Sequence, residues 1–527
     1  MKTSGIAVLS ALVLGLPASA QLIDPGYHDH AEANAELLAL EASFPTLAKR
    51  FDLNAMLGAP LTHEGRTTYA LKISDDVLLD EDEPTALVTG NIHAREVINV
   101  EVCLDLAQRL LSGYGIDPGL TAVVDAFEVW IVPTLNPDGL DHVHQVDPNW
   151  RKNRRDNGDG TFGVDLNRNF PFQWNACGTS PSTSTSSLNY VGPAPGSEPE
   201  TQLALALLAE LRPAKMFDFH SRGREIFFRY GCTTWPAALT LAHQTAIGLA
   251  ALLMNYAGPL LSSSGGMLYK QAIRDHHSLG CLVETWDGPN WWPPYPTALA
   301  EVNQVWPGLR HLMELPVPIT GHVVDAQTGE GLEAIFNVTG ILDPSTQARS
   351  SEPGTGRFHA WLPAGGWTLN FQSGGYLNES LSPVVVVSGL NTDVTVSLDP
   401  DLDLTVGTPH LGTTVLLVVE APASPLQPYI LAASLGTVPG IPLPDGRTIP
   451  LNPDPLFFLS LGALPPFGGF AGVLGPTGVA FANLTLPVDP AFLGFTFHLG
   501  FVVLGPFSPA NLGVRHVGPS VPVTIVP

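Results

Sequence analysis

Short apolar runs alternate with longer amphipathic segments over the first 315 residues of the chain. The apolar runs span residues 86–89, 127–132, 215–219 and 281–283. Each run has the length and the flanking turn residues of a buried strand. The segments with helical periodicity span residues 95–111, 199–211 and 237–256. Alternation of this kind predicts an α/β fold, a mixed sheet with helices on both faces, over residues 21–315.

The composition and the hydrophobic pattern change after residue 315. Val, Thr, Gly and Pro dominate there, and the apolar runs become short and alternating. This pattern is typical of all-β structure. We therefore predict two sandwich-like β domains, at residues 316–400 and 401–527. The second contains no lysine and only two arginines, Arg447 and Arg515. We expect it to serve surface attachment or interaction, or to be a spacer without a binding function.

The first 20 residues have the pattern of a secretory signal peptide. Lys2 precedes an apolar stretch at residues 6–16, and Ala18-Ser19-Ala20 forms a small-residue cleavage site. The apolar stretch is too short to span a bilayer, and no later segment approaches 18 uninterrupted apolar residues. We expect a protein that is secreted, periplasmic or held at the cell surface, with no membrane span and no N-terminal activation domain.

Net charge and cysteine content narrow the possibilities further. A formal charge of −25 argues against nucleic acid or anionic membrane as a partner, because both require basic patches. Four cysteines are too few for a disulfide framework. Cys103 and Cys281 lie in apolar runs and are expected to be core thiols. Cys177 and Cys232 lie in polar loops and form the more favourable bridge, if one exists.

Three side chains have the spacing of a hydrolytic zinc site. His93 and Glu96 lie three residues apart in the run GNIHARE (90–96), and His220 ends the run FDFH (217–220). Two imidazoles and one carboxylate leave a zinc position open for water, whose pKa falls to about 7. Such a site also needs a base that does not bind the metal. Glu284 ends the apolar run CLVE (281–284), where a carboxylate is unexpected, and is the candidate.

Further motifs follow in a characteristic order, namely NPDG (136–139), WRKNRR (150–155) and GVDLNRNF (163–170). With these motifs, residues 27–315 resemble the secreted zinc metallocarboxypeptidases of pancreas and bacteria. The resemblance implies one Zn²⁺ held by His93, Glu96 and His220, and Glu284 as the base that activates the zinc-bound water. It also implies that Arg151 stabilises the oxyanion. The residues implied to bind the substrate carboxylate and its surroundings are Asn167, Arg168 and Arg95.

The specificity pocket is less defined by the resemblance. Alignment on Ser264-Gly265-Gly266 places Leu268 in the pocket, which favours apolar C-terminal residues. Asp275 lies in the same stretch, and an acid in the pocket would instead favour Lys or Arg. The alignment also places Leu261 where many relatives have a mobile tyrosine. Either the phenol is absent, or Tyr256 or Tyr269 supplies it.

Residues 321–326 (GHVVDA) and 358–365 (FHAWLPAG) resemble the transthyretin-like domain that follows the catalytic domain in regulatory carboxypeptidases. The function predicted for the whole chain is hydrolysis of the C-terminal peptide bond of peptides and proteins. A cell-wall peptide hydrolase of the same fold is one alternative. A non-catalytic surface protein for peptide binding or adhesion is the other.

Overall fold

The structure is a computed structural model that describes residues 22–178, 181–230, 237–262, 264–341, 349–462 and 465–527. The predicted signal peptide at residues 1–20 and Cys232 lie outside the described residues.

The first part of the chain builds one eight-stranded sheet with strand order β1-β2-β4-β3-β5-β8-β6-β7. Its strands are β1 (Ala48–Asp52), β2 (Tyr69–Ile73), β3 (Thr85–Thr89), β4 (Glu128–Val132), β5 (Lys215–Ser221), β6 (Glu225–Tyr230), β7 (Ala257–Ser262) and β8 (Leu279–Thr285). The helices are α1 (His30–Ser43), α2 (Leu53–Leu57), α3 (Ile98–Gly113), α4 (Pro118–Val124), α5 (Pro137–Gln145), α6 (Pro199–Leu211), α7 (Ala237–Met254), α8 (Leu268–His276) and α9 (Tyr295–Glu314). The mixed α/β prediction is confirmed.

The four strands predicted from apolar runs form the centre of this sheet. β4, β3, β5 and β8 run parallel to one another, and every residue of β3, β4 and β5 is buried. Parallel strands covered on both faces read as continuous apolar runs, which explains why the sequence revealed them. In register, His220 of β5 is paired with Glu284 of β8. The carboxyl ends of two central strands therefore bring these two side chains together.

The remainder of the chain is β-rich, as predicted. Residues 319–398 form a four-stranded and a three-stranded sheet from β9 (Ile319–Asp325), β10 (Ile335–Val338), β11 (Arg349–Ser350), β12 (Arg357–Ala360), β13 (Gly365–Gln372), β14 (Glu379–Val386) and β15 (Thr392–Leu398). Residues 403–524 form two four-stranded sheets and one hairpin from β16 (Asp403–Val406), β17 (Thr414–Glu420), β18 (Pro428–Ser434), β19 (Ile441–Pro442), β20 (Thr448–Ile449), β21 (Phe467–Gly468), β22 (Ala471–Val473), β23 (Val479–Thr485), β24 (Thr496–Leu504) and β25 (Val514–Thr524). One short helix, α10 (Pro455–Leu461), was not predicted. The resemblance to a transthyretin-like domain and the domain boundaries stay predictions.

Polar contacts join the three regions of the chain. The indole of Trp361 donates to the carbonyl of Ala214 at 2.7 Å, across the base of the large sheet. His516 and Asp325 connect the last two regions through a bond of 2.7 Å between Nε2 and Oδ2. The last region has its own apolar core, separate from the core that the first two share.

Among the described residues, α7 alone has the length and apolarity of a membrane-spanning helix. One such helix is weak evidence, because core helices pass the same test, and seven of its residues are buried. Cys103 and Cys281 are free and buried, as expected, and Cys177 is disulfide-bonded.

Candidate metal centre and active site

His93, Glu96 and His220 meet at the carboxyl edge of the large sheet, and all three are buried. His93 and Glu96 lie on the connection between β3 and α3, while His220 lies on β5. The Nδ1 atoms of the two histidines are 3.1 Å apart. The Glu96 carboxylate lies 3.0 Å from Nδ1 of His93 and 3.2 Å from Nδ1 of His220. The structure thus brings together the three predicted ligands.

Each imidazole is held by a second carboxylate on its far side. His93 Nε2 lies 3.1 Å from Asp165, and His220 Nε2 lies 2.9 Å from Asp218. Such a carboxylate fixes the proton on Nε2, so that Nδ1 presents its lone pair. Burial would lower the pKa of His220, but Asp218 and Glu96 raise it to about 10. Both imidazoles are therefore oriented with Nδ1 toward the cluster.

The sequence analysis missed both of these carboxylates. Asp218 is two residues before His220 on one strand, so the two side chains lie on the same face of the sheet. An acid in an otherwise apolar strand was the available signal. Asp165 lies in the GVDLNRNF motif, and its charge in a buried loop was the equivalent signal there.

The three donor atoms fit a zinc ion. Ligand atoms bound at about 2.0–2.1 Å in tetrahedral geometry lie roughly 3.3 Å from one another. The three observed separations of 3.0, 3.1 and 3.2 Å come close to that value. Two imidazoles and a carboxylate are also the donor set that suits zinc among the common divalent ions. The residues present therefore fit the predicted Zn²⁺.

Glu284 is a half-buried acid whose register partner is the ligand His220. Its Oε2 atom is buried without a hydrogen-bond partner among the described residues. Burial raises the pKa of Glu284 to about 7, and the negative charge of Glu96 acts in the same direction. A carboxyl group with such a pKa exchanges protons easily near neutral pH. The role of Glu284 as the base stays a prediction.

Arg151 lies between the ligand Glu96 and Asp165, the carboxylate that contacts His93. Its guanidinium contacts Asp165 at 2.9 Å and Glu96 at 3.5 Å. Burial would lower the pKa of Arg151, but these two carboxylates raise it. The group is thus a permanent cation close to the cluster. Arg95 lies nearby, stacked on the Trp291 ring at 3.9 Å, and burial together with Arg151 lowers its pKa to about 10.

Asn167 lies beside His220, and Arg168 follows it in the chain. Asn167 Nδ2 lies 3.1 Å from His220 Nε2, and its Oδ1 accepts from the backbone N–H of Leu268 at 2.9 Å. Burial lowers the pKa of Arg168, which Asp165 and Glu284 partly offset. Gly266 packs on the Arg168 backbone, where a Cβ would lie 2.4 Å from the carbonyl oxygen, so only glycine fits. Leu268 begins α8 and is buried there.

The structure excludes Asp275 from this region. It lies seven residues after Leu268 on α8, which is roughly 10 Å along a helix. Its carboxylate is bonded to Gln271 and Arg274, and it lines a cavity of about 350 Å³ with residues of the first β region. This position gives no support to a basic preference through Asp275, and the side-chain preference stays a prediction.

Tyr256 and Tyr269 were the two candidates to replace the mobile tyrosine that many relatives carry at the position of Leu261. Both side chains are buried. Tyr256 is bonded to Glu301, and Tyr269 is fully buried. Leu261 itself is about half exposed. On this evidence the chain has no phenol at the position that Leu261 occupies.

Comparison with known proteins agrees with this geometry. The family model described as zinc carboxypeptidase matches residues 37–278. These residues form a zinc carboxypeptidase domain. The domain is 37% identical over 155 residues to a zinc carboxypeptidase of Saccharothrix mutabilis subsp. capreolus, covering 29% of this chain and 34% of that protein. It is 34% identical over 215 residues to metallocarboxypeptidase A of Trichophyton tonsurans, covering 40% of this chain and 49% of that protein.

Among solved structures, carboxypeptidase A of Helicoverpa armigera is similar, with 24% identity and a TM-score of 0.48. The match covers 54% of this chain and 72% of that one. The matched part of the chain spans a third to a half of the curated relatives above. The zinc carboxypeptidase domain includes the three ligands, Arg151 and the Asn167-Arg168 pair, while Glu284 lies just beyond the matched residues.

Proposed function

We propose that this protein is a secreted zinc metallocarboxypeptidase that removes single amino acids from the C-termini of peptides. The observation that carries the proposal is the convergence of His93, Glu96 and His220 beside Glu284, a half-buried acid with a buried oxygen, Oε2, that has no partner among the described residues. A zinc ion held by the three ligands would supply a Lewis acid that polarises the scissile carbonyl and lowers the pKa of water.

The protein side chains would then carry out three tasks. Glu284 takes a proton from the attacking water and returns it to the leaving amine, which its raised pKa favours. Arg151, fixed by Asp165, stabilises the negative charge that develops on the carbonyl oxygen. Asn167 and Arg168 bind the free carboxylate of the substrate, since a guanidinium and an adjacent amide form a charge-assisted clamp. Arg95 adds a second cation beside this groove.

The test is release of free amino acids from a peptide mixture, compared with the same peptides carrying C-terminal amides. We expect release from the free acids and none from the amides, because the clamp needs a carboxylate. Chelation should abolish release, and added Zn²⁺ should restore it. Cleavage of both peptide sets would contradict exopeptidase action. Cleavage of cell-wall fragments alone would favour the wall-hydrolase alternative.

Secretion is part of the proposal and rests on the pattern of residues 1–20. N-terminal sequencing of protein recovered from the medium tests it, with Gln21 expected as the first residue. The region 401–527 is proposed to attach the enzyme to a surface, which its low content of cations and its separate core permit. Binding of that region to cells, compared with the enzyme lacking it, tests this role.

A further inference from the structure

Helix α7 has one buried face and one exposed face, and both are apolar. Its seven buried residues face the sheet and α9, where Gln304 donates to the carbonyl of Met254 at 3.0 Å. On the opposite face, Leu252 is 74% exposed, and Leu241 and Leu249 are 56% and 44% exposed. A surface helix normally carries polar and charged residues on its outer face. The outer face of α7 departs from this pattern.

The exposed leucines form one surface with the strand that follows. At roughly 100° per residue, the three leucines lie within about 80° of one another around the helix axis. Gly248 lies in the same stripe, and a Cβ at this position would lie 3.7 Å from Pro259 of β7. β7 is the edge strand of the large sheet and carries another half-exposed leucine. We call this surface the α7 face, and it consists of Leu241, Gly248, Leu249, Leu252, Leu253 and Leu261.

α7 and β7 contribute no charged residue to this face. Residues 230–269 contain no Asp, Glu, Lys or Arg, although the whole chain has a formal charge of −25. Protein surfaces usually mix charges among their apolar residues, and a large patch without them marks an interaction site. The five leucines expose on the order of 500 Å² in total, which is at the level of the largest apolar patches on monomeric proteins.

We propose that the α7 face binds the same face of a second copy of this chain, so that two α7 helices pack together in a two-fold dimer. Such a contact buries the same patch on both copies. The leucines alone supply about half of the roughly 800 Å² that each partner buries in a stable interface. Pro259 lacks the N–H that a continued sheet would need, so the contact is between helices rather than between β7 strands.

A lipid surface is the other possible occupant of an exposed apolar helix. Helices that lie in a membrane interface carry Lys or Arg on a polar face, which anionic headgroups attract. The other face of α7 is buried in the protein, and residues 230–269 contain neither residue. The negative charge of the whole chain also disfavours an anionic membrane. A second copy offers an equally uncharged apolar face and is therefore the better match.

The mass of the zinc-loaded full chain in solution tests the proposal, by light scattering at tens of micromolar protein. The wild type should have twice the mass of one chain. The double variant Leu249→Glu, Leu252→Glu should be monomeric, with association weakened by at least about 100-fold, because it would bury unpaired charges. Its unfolding temperature should stay that of the wild type, since both leucines are exposed. A monomeric wild type, or a double variant that stays dimeric, would overturn the proposal.

The double variant Leu416→Glu, Leu426→Glu is the matched control. These leucines are 56% and 63% exposed in the last β-rich region, so the control adds the same charge at another surface. It should stay dimeric. Loss of the dimer in both double variants would attribute the effect to added negative charge, and the proposal would fail.

Salt gives an independent check on the nature of the contact. Added salt should strengthen the dimer, because it screens the repulsion between two negatively charged copies and the α7 face has no ion pair to weaken. Dissociation of the dimer by salt would show that charged groups hold it together and would contradict an apolar interface.

Vesicles of neutral phosphatidylcholine distinguish the second copy from a lipid surface. We expect the wild type to stay in solution as a dimer in their presence. A monomer that binds the vesicles, with binding lost in Leu249→Glu, Leu252→Glu, would assign the α7 face to lipid and overturn the dimer. None of these measurements depends on peptidase activity, so the inference can fail while the proposed function stands.

Discussion

Buried charge is arranged differently in the catalytic region and in the β-rich region. In the first, the buried His93, Glu96 and His220 converge on one edge of the sheet, and the half-buried Glu284 is the register partner of His220. In the second, the principal buried charged group is Asp325, at the junction of the two β regions. Each Asp325 oxygen has partners. Oδ2 accepts from His516 and Tyr376, and Oδ1 accepts from two backbone N–H groups.

The two acids also differ in the sign of their pKa shifts. Burial raises the pKa of Glu284 to about 7, whereas for Asp325 the bonds from His516 outweigh burial and hold the pKa well below its usual range. A buried acid with all its partners in place stabilises structure, while one with an unpartnered oxygen beside metal ligands is suited to proton transfer. The comparison shows that the presence of a hydrogen-bond partner for each carboxylate oxygen, more than the depth of burial, separates the structural role from the catalytic one.

The largest expected effect is on catalysis. Glu284→Gln should lower kcat/KM by about 10³-fold or more, because general acid–base catalysis contributes about 10²–10⁴-fold. The fold should be retained, since glutamine keeps the size of the side chain and no described hydrogen bond of Glu284 Oε2 is lost. Glu225→Gln is the control, because Glu225 is the register partner of Glu284 on β6. A similar loss in both variants would show that any carboxylate at this edge of the sheet matters.

Arg151→Ala should lower kcat by about 10²–10³-fold, the usual cost of losing one oxyanion donor. KM should change little, because the interaction forms mainly in the transition state. Arg154→Ala is the matched control, since Arg154 lies in the same loop but pairs with Glu64 and stacks on Trp150. Steady-state kinetics of both variants measure the difference. An effect confined to KM would contradict the assigned role.

Mutations at the Asp325 site, where both carboxylate oxygens have partners, should change the free energy of unfolding and not the peptidase activity. His516→Ala leaves the Asp325 carboxylate buried without its imidazole partner and should destabilise the β-rich region by about 3 kcal/mol. Ser424→Ala removes only the neutral bond between Ser424 Oγ and His516 Nδ1, and should cost about 1 kcal/mol. Calorimetric unfolding gives both values. A loss of peptidase activity well below the unfolding temperature would argue against a purely structural role.

The smallest expected effect is a change of stability at Glu200. This residue tests whether an unpartnered oxygen on a buried acid is by itself a sign of catalysis. Its Oε1 is buried without a partner, and burial raises its pKa to about 7, as for Glu284, yet it lies on α6 bonded to Asn153. A carboxyl whose pKa is raised on folding binds its proton more tightly when folded. Its contribution to stability is therefore present below the unfolded pKa of about 4.3 and is lost as pH rises through 7.

Glu200→Gln should accordingly be more stable than the wild type at pH 8, by about 1–2 kcal/mol, and equally stable at pH 4. Denaturant unfolding at the two pH values measures this. Activity at pH 7 should stay close to that of the wild type. A loss as large as that of Glu284→Gln would mean that an unpartnered buried acid signals catalysis wherever it lies in this region.

The sequence sufficed for the central strands and for the residues of the metal centre. The parallel strands are apolar throughout, and the spacing of His93 and Glu96 needs no knowledge of the fold. Asp165 and Asp218 were not foreseen, because their role depends on which nitrogen of each histidine they reach. That is a property of three-dimensional packing.

The same reason explains why the sequence left Asp275 open as an alternative to Leu268. In sequence it lies as plausibly near the pocket as Leu268 does. Once α8 forms, its length carries Asp275 to the other end of the helix.

The most direct test of the account is the zinc content of the purified protein by elemental analysis, in the wild type and in two variants. We expect one zinc per chain in the wild type, one in the inactive Glu284→Gln, and none in His220→Ala. This result would separate the three ligands from the base. Loss of zinc from Glu284→Gln, or its retention in His220→Ala, would contradict the assignment of ligands and base on which the proposed function rests.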